Sequence, residues 1–496
     1  MHIRKFIFQK HLLLLLLVCL CLPGAIGAES QNCIIAVGRD FYQGRQSPAL
    51  VHGSTGAWEG LTYIDRNMQA RPWLAQSWSS NKNGTIWTFQ LREGVFFHNN
   101  EKLTADHVVQ CIQRIMDNPR YDPAGVYHSV ASVTATDEAR IVFRLSSPTP
   151  EFAKNVAYFS SPIVHPKVFG KNGSIKELIA TGPYQVEKVM PGSSLHLKKF
   201  DSYWNGKGLF EKVVFKTITD SETRLMALLT GQVDAIADIG VLFPGQAQRL
   251  KKNSDITVKK TDTATTHLMV FNCARPPFSD SQTRRWLGGE INRRQIIRTI
   301  ARGAGRLAKD PYTDLCREYT FRRIDPTPGQ MSEKLKTHKE NITVLLHSGT
   351  TQRWPYLEMA QVICSALNKQ GIKTRIQVQE PSAYYDRVKN GRYDLLIQPY
   401  TILTGEPDYF YSYWIASDSP WNCGWKNPQA DQWIREAGTT MDSKRKQELY
   451  KSLEELMATE LPILPLYHDQ SFYAHKKELE GFSIDHFFRP ELAGKK

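Results

Sequence analysis

The chain has 496 residues, 41% apolar, 23% charged and 11% aromatic. It is too long for one simple core, no tract is biased enough for disorder, and no repeat of solenoid or propeller period is visible. The formal net charge is +14, but Lys and Arg are interspersed with Asp and Glu, which reads as a solvated basic surface and not a nucleic-acid footprint.

The N-terminus has the grammar of an export signal. Arg4, Lys5 and Lys10 precede an apolar run from Leu12 to Leu22, which is too short to span a bilayer. Pro23 and Gly24 break the run, and the small residues Ala25, Gly27 and Ala28 suit a signal peptidase. Residues 1–28 are therefore expected to be removed, with cleavage after Gly27 or Ala28. The mature protein is expected to be soluble and periplasmic, since no other segment is apolar enough to cross a bilayer. Cys19, Cys21 and Cys33 follow Val18, Leu20 and Asn32, not a small residue, so no lipid anchor is expected. Six cysteines remain after cleavage, with no CxxC pair and no zinc-type spacing. Disulfides are chemically open to them in an oxidising compartment. Cys111 and Cys364 fall inside helical patterns and read as core residues.

Trp87 to Leu91 alternates as a strand. Thr104 caps a helix in which Val108, Cys111, Ile112, Ile115 and Met116 keep helical spacing, with Leu103 as a staple on Val108. A second helix starts near Asp220, with Leu225, Leu228 and Leu229 as its buried stripe and Gly231 as a left-handed end. Val233 to Ile239 reads as a short strand.

The stretch 341–410 says most. Ile342 to Leu346 is a buried strand. A loop from Ser348 to Pro355 leads to a helix over Tyr356 to Lys369, with Leu357, Ala360, Ile363, Cys364 and Leu367 on one face. Ile372 to Val378 is a strand, Ser382 to Asn390 a helix, and Asp394 to Gln398 a third strand. This β-α-β-α-β order implies a parallel, doubly wound sheet. Ligands of such sheets sit beyond the carboxyl ends of the strands, which points to the loops Ser348–Pro355 and Pro399–Tyr409. The first holds Thr350, Thr351, Arg353 and Trp354. The second holds Tyr400, Thr404, Gly405, Glu406 and Asp408. Aromatic faces with a few fixed polar groups suit a small-molecule pocket.

A run of motifs carries a resemblance. Trp58-Glu59-Gly60-Leu61 is followed by Leu74-Ala75-Gln76-Ser77-Trp78, Asn83-Gly84-Thr85, Leu91-Arg92-Glu93-Gly94-Val95, Phe97-His98 and Leu103-Thr104-Ala105. Thr181-Gly182-Pro183-Tyr184, Tyr203-Trp204, Phe271-Asn272 and Gly405-Glu406-Pro407-Asp408-Tyr409-Phe410 continue it. In order and spacing the chain resembles the periplasmic solute-binding proteins of peptide and nickel ABC importers, extracellular solute-binding family 5, over nearly all of its mature length. The resemblance implies an α/β, two-lobed periplasmic-binding-protein fold of type II. Residues 29–270 would form lobe I with an extra sub-domain, 271–473 lobe II, and 474–496 a return to lobe I. The crossovers would fall near His267 to Phe271 and Leu466 to Tyr473. It further implies a monomer that encloses a small peptide or metal-chelate ligand and delivers it to an ABC permease and its ATPase subunits. Most of the motifs read as architectural, His98 included.

Two departures bear on the ligand. Dipeptide binders of the family carry an Asp for the peptide amine shortly before the Gly-Asp-Pro-Asp loop, and here that position is Leu403. Nickel binders carry an arginine where this chain reads Phe159-Ser160-Ser161-Pro162. Arg120 and Arg353 are candidates for a ligand carboxylate, and Glu406 or Asp408 for an amine. No His or Cys cluster has direct metal-site spacing, so a bound metal would arrive in a chelator, with no cofactor and no metal ligand in the chain itself. Catalysis is not expected, because GxSxG, HExxH, P-loop and GxGxxG signatures are all missing.

Overall fold

The computed structural model describes residues 32–122, 125–157, 161–170, 174–321, 323–327, 329–479 and 481–494. The expected signal peptide and residues Phe159 and Ser160 of the nickel-binder comparison lie outside the described residues.

One sheet of eleven strands organises the molecule. In chain order these are β1 (Cys33–Val37), β2 (Tyr184–Met190), β3 (Ser194–Lys199), β4 (Lys212–Thr217), β5 (Ala235–Ile236), β6 (Ile256–Phe271), β7 (Gly305–Leu307), β8 (Ile342–His347), β9 (Thr374–Gln379), β10 (Leu395–Thr401) and β11 (Ile463–Lys476). They lie in the order β9-β8-β10-β6-β11-β5-β1-β4-β3-β2, with β7 on β11. One end is a parallel group, in which β8 pairs with both β9 and β10. The other end has a parallel group of its own, β1 between β4 and β5.

The two groups are joined by the long antiparallel pair β6 and β11. Val270 lies opposite Ile463 at one end and Ile256 opposite Lys476 at the other. Register shifts between Asp262 and Thr266 and between His267 and Leu268 interrupt this ribbon, and such irregularities bend a strand pair locally. The fold is thus α/β with two lobes, as expected. Separate from this sheet, Ala75–Ser80, Ile86–Leu91, Arg140–Leu145 and Val130–Asp137 form a four-stranded antiparallel sheet.

Local expectations meet the structure closely. Helix α1 (Ala105–Met116) is capped by Thr104, whose hydroxyl accepts from the His107 amide, and it buries Val108, Cys111, Ile112 and Ile115. The Asp220 carboxylate accepts from the Thr223 amide at the start of α2 (Ser221–Leu229). The β-α-β-α-β stretch is β8, α3 (Tyr356–Asn368), β9, α4 (Pro381–Lys389) and β10.

The differences are instructive. Leu229 and Leu357 are exposed, not buried; Leu225 and Leu228 remain inside on α2, while Tyr356 and Met359 join Ala360, Ile363 and Leu367 in the core face of α3. Val378 is also exposed, because β9 is the edge strand and is covered incompletely. The strand expected over Val233 to Ile239 shortens to β5, after which Asp238 and Ile239 leave the sheet. Tyr400 belongs to β10, opposite Thr266 of β6, and not to the loop that follows.

Candidate functional site

A cavity of about 220 Å³ opens beyond the carboxyl ends of four strands. Arg39 follows β1, Ile239 follows β5, Arg353 and Trp354 follow β8, and Leu403 follows β10. His52, Ser54, Ile64 and Ala157 complete one side, and Phe487 and Arg489 come from the C-terminal segment. Both parallel groups of the sheet therefore supply walls, as the strand-end rule for such sheets requires.

Arg353 is the centre of the wall. Its Nε donates to the Ile239 carbonyl at 3.0 Å, and its guanidinium lies 4.5 Å from the ring centroid of Trp354. Among the described residues no carboxylate forms an ion pair with it. Burial and the nearby Arg39 lower its pKa to about 10, so it stays charged at neutral pH. Arg39 donates through Nε and a terminal nitrogen to Asp238, at 3.3 and 3.1 Å. Burial alone would raise Asp238, but Arg39 and Arg353 hold it below the ordinary carboxylate range. Arg489 donates to Asp485 at 2.6 Å and lies over Tyr63 and Phe487. His52 is pushed down to about 3 by burial and by Arg39, so its imidazole is neutral.

Trp354 is held in place by its neighbours. Its ring stacks on Tyr356 at 5.9 Å and meets His267 edge-on at 5.4 Å. Its Nε1 is buried against Gly240 and has no hydrogen-bond partner among the described residues. Gly240, at φ 72°, makes the packing feasible. A Cβ there would fall 2.7 Å from Trp354 Cε2 and 2.9 Å from the Arg353 carbonyl oxygen.

Of the other sequence candidates, none lines this cavity. Arg120 sits exposed on the short turn Pro119–Tyr121. Tyr400 stacks on Tyr409 at 6.2 Å and meets Phe410 edge-on at 5.2 Å, a packing role between the sheet and the short helix Asp408–Phe410. The Thr404 hydroxyl accepts from the Glu406 amide at 3.3 Å. Gly405, at φ 77°, lets its turn press against Met68. Glu406 is committed elsewhere: Lys154 pairs with it, and Lys446 reaches it at 3.4 Å. Glu151 closes the group with Lys446 at 2.9 Å and Lys154 at 3.3 Å. Asp408 accepts from the Tyr409 amide at 2.8 Å, and burial raises its pKa. The acids expected for a ligand amine thus serve a buried two-plus-two charge group and a local turn.

A neighbouring cavity of about 170 Å³ shares Ser54, Ala157 and Arg489 with the first. Its Glu59 accepts from Trp73 Nε1 at 2.7 Å, Thr181 Oγ1 at 2.8 Å, the Tyr203 hydroxyl at 2.9 Å and Trp204 Nε1 at 3.0 Å. The motifs around Trp58, Thr181 and Tyr203 therefore meet in one buried knot. His98 Nε2 likewise lies 3.0 Å from the Gly182 carbonyl oxygen, an internal packing role. The sequence reading missed Arg39, His52 and Arg489. Arg39 stands two residues past the end of β1, where the strand-end rule finds it, whereas nothing local marks Arg489.

The model of the bacterial extracellular solute-binding proteins, family 5, matches residues 69–422. The chain belongs to this family. It is 26% identical to the dipeptide-binding protein of Escherichia coli over 84% of each chain. It is also 26% identical to the probable ABC transporter periplasmic-binding protein SapA of the same organism, over 93% of this chain and 91% of that one. Among solved structures, the dipeptide binding protein of Pseudoalteromonas sp. SM9913, in complex with Met-Leu, superposes with a TM-score of 0.80 at 21% identity, over 94% of this chain and all (100%) of that one. NikA of Brucella suis, in complex with Fe(III)-EDTA, gives 0.82 at 20% identity over 93% and 100%. Family 5 proteins are solute binders, and the cavity described above lies between the two parallel strand groups. No helix among the described residues is long and apolar enough to cross a membrane.

Proposed function

We propose that this chain is the periplasmic substrate-binding component of an ABC importer, capturing a small peptide or peptide-like solute and delivering it to the membrane permease. Residues 1–28 direct export, and the mature protein works as a monomer without catalysis. Transport energy comes from ATP hydrolysis on other subunits. Residues 29–270 and 271–473 act as lobes that close on the solute, with 474–496 returning to the first.

The observation that carries the proposal is the Arg353 guanidinium. It is fixed by Ile239 and Trp354, and no protein carboxylate pairs with it among the described residues. A peptide carboxylate supplies the countercharge that a buried cation needs. The similarity to dipeptide-binding proteins supports the peptide reading.

A second reading, a metal held in an organic chelator, is favoured by the arginine-rich wall, which suits chelator carboxylates. The groups Glu101, His107, His165 and Asp310, Asp314, His468 bring metal-type ligands together, but neither lines the cavity. Native mass spectrometry of the protein as purified tests both readings. Retention of a small solute is expected, together with a thermal shift from a peptide or chelate. The absence of any shift across di- to pentapeptides and nickel–histidine sinks both.

A further inference from the structure

The charge pattern of the cavity narrows the class of solute. Three guanidinium groups, Arg39, Arg353 and Arg489, line it, and among the described residues no Asp or Glu does. The carboxylates that balance two of them, Asp238 and Asp485, are buried and already bonded to Arg39 and Arg489. The remaining polar wall is also mostly donors or neutral. It comprises the hydroxyls of Ser54 and Thr401 and the neutral imidazole of His52, beside the indole ring of Trp354.

An ammonium group brought into this cavity would meet cations and hydrocarbon. Leu403, just past the end of β10, lines the wall with its isobutyl group and offers no charge. Glu406, three residues on, is held by Lys154 and Lys446 and does not line the cavity. In the adjoining cavity the Glu59 carboxylate is saturated by four donors, Asp485 is taken by Arg489, and Glu491, the third acid there, accepts from the Ser483 hydroxyl and lies 3.7 Å from Arg66. A buried ammonium without a countercharge is strongly unfavourable, whereas a carboxylate here gains a charge-assisted partner.

Resting on the reading of this cavity as the solute site, we infer that the protein selects carboxylate solutes that have no free ammonium group, such as amino-blocked peptides. Arg353 takes the carboxylate, and Leu403 together with Ile64, Ile239 and Phe487 takes an uncharged, acylated end.

The test is calorimetry on the mature protein with three probes: Met-Leu, N-acetyl-Met-Leu and Met-Leu amide. Citrate serves as a carboxylate that is not a peptide. N-acetyl-Met-Leu is expected to bind at least ten-fold more tightly than Met-Leu, and the amide to bind weakest. Leu403→Asp is expected to reverse the order of the first two, and Arg353→Gln to remove the preference for the acid over the amide. Circular dichroism of both variants checks that they are folded. If Met-Leu binds as tightly as its acetylated form or more tightly, the inference is overturned while the peptide reading stands. If citrate binds and no peptide does, the peptide reading fails and the preference for ammonium-free carboxylates stands. If no probe binds, both are overturned.

Discussion

The Arg353 guanidinium lies 4.5 Å above the Trp354 ring, and its Nε is tied to the carbonyl of Ile239 at 3.0 Å. A consecutive pair on one loop thus supplies both the charge and its aromatic support, and a residue that follows β5 fixes the pair's orientation. Replacing Arg353 with Ala removes the charge-assisted bonds to a solute carboxylate, each worth about 1.5–3 kcal/mol. We expect roughly a ten- to hundred-fold loss of affinity for carboxylate solutes, measured by calorimetry, with the melting temperature of the free protein little changed. An unaltered affinity would remove Arg353 from the site.

The charge group of Glu151, Lys154, Glu406 and Lys446 joins residues that precede β6 to residues that follow it. Lys446→Met leaves Glu406 and Glu151 to share Lys154. Removing one partner of a buried pair costs about 3–5 kcal/mol, and here the loss falls on the junction between lobes. Faster solute release is expected, with a larger radius of gyration by small-angle scattering. Wild-type release kinetics would show that the group plays no part in closure.

Gly240 touches Trp354 where a Cβ would fall 2.7 Å from the indole. Gly240→Ala must move the indole or the loop, and its φ of 72° adds strain. Overpacking of this kind costs about 1–3 kcal/mol. The variant should bind solute about ten-fold more weakly, with an altered Trp emission spectrum. An unchanged spectrum would mean that the cavity wall tolerates the methyl group.

Burial raises Glu59 to about 7 despite its four donors. A carboxyl group raised in the folded state contributes most below its ordinary value near 4.5. That contribution is lost as pH rises through about 7. The change is on the order of 3 kcal/mol, from about 1.4 kcal/mol per unit. Urea denaturation between pH 4 and 8 should show this fall in the wild type and a smaller one in Glu59→Gln. Parallel curves for the two proteins would assign the pH dependence to other groups.

Much of the fold was legible because its signals are local. The Thr104 cap, the helix start near Asp220 and the alternation from β8 to β10 depend on neighbours in sequence, and each appears as read. The loop after β8 was likewise legible as a cavity wall, through the strand-end rule, and it brings Arg353 and Trp354 to that wall. The loop after β10 reaches the cavity through Leu403, but none of the residues expected of it lines that cavity. Glu406 looked free in sequence because its partners, Lys154 and Lys446, are 252 and 40 positions away. Tyr400 looked like a loop aromatic because the strand before it runs further than its apolar core. Leu229 and Leu357 fit helical stripes but lie at the margins of their helices' buried faces, where spacing alone does not tell inside from outside. Arg489 was invisible because only the return of the C-terminus brings it to the cavity.

Arg39 and Arg353 come from opposite halves of the sheet, and both hold the carboxyl of Asp238 below its ordinary range. Asp238 cancels only one of the two positive charges, so the surplus charge electrostatically discourages the shut clamp until a guest anion offsets it. A receptor that docks only shut copies would then see cargo-laden ones almost exclusively. Idle cycles of the pump would be suppressed by the spring-like recoil of the cargo protein itself.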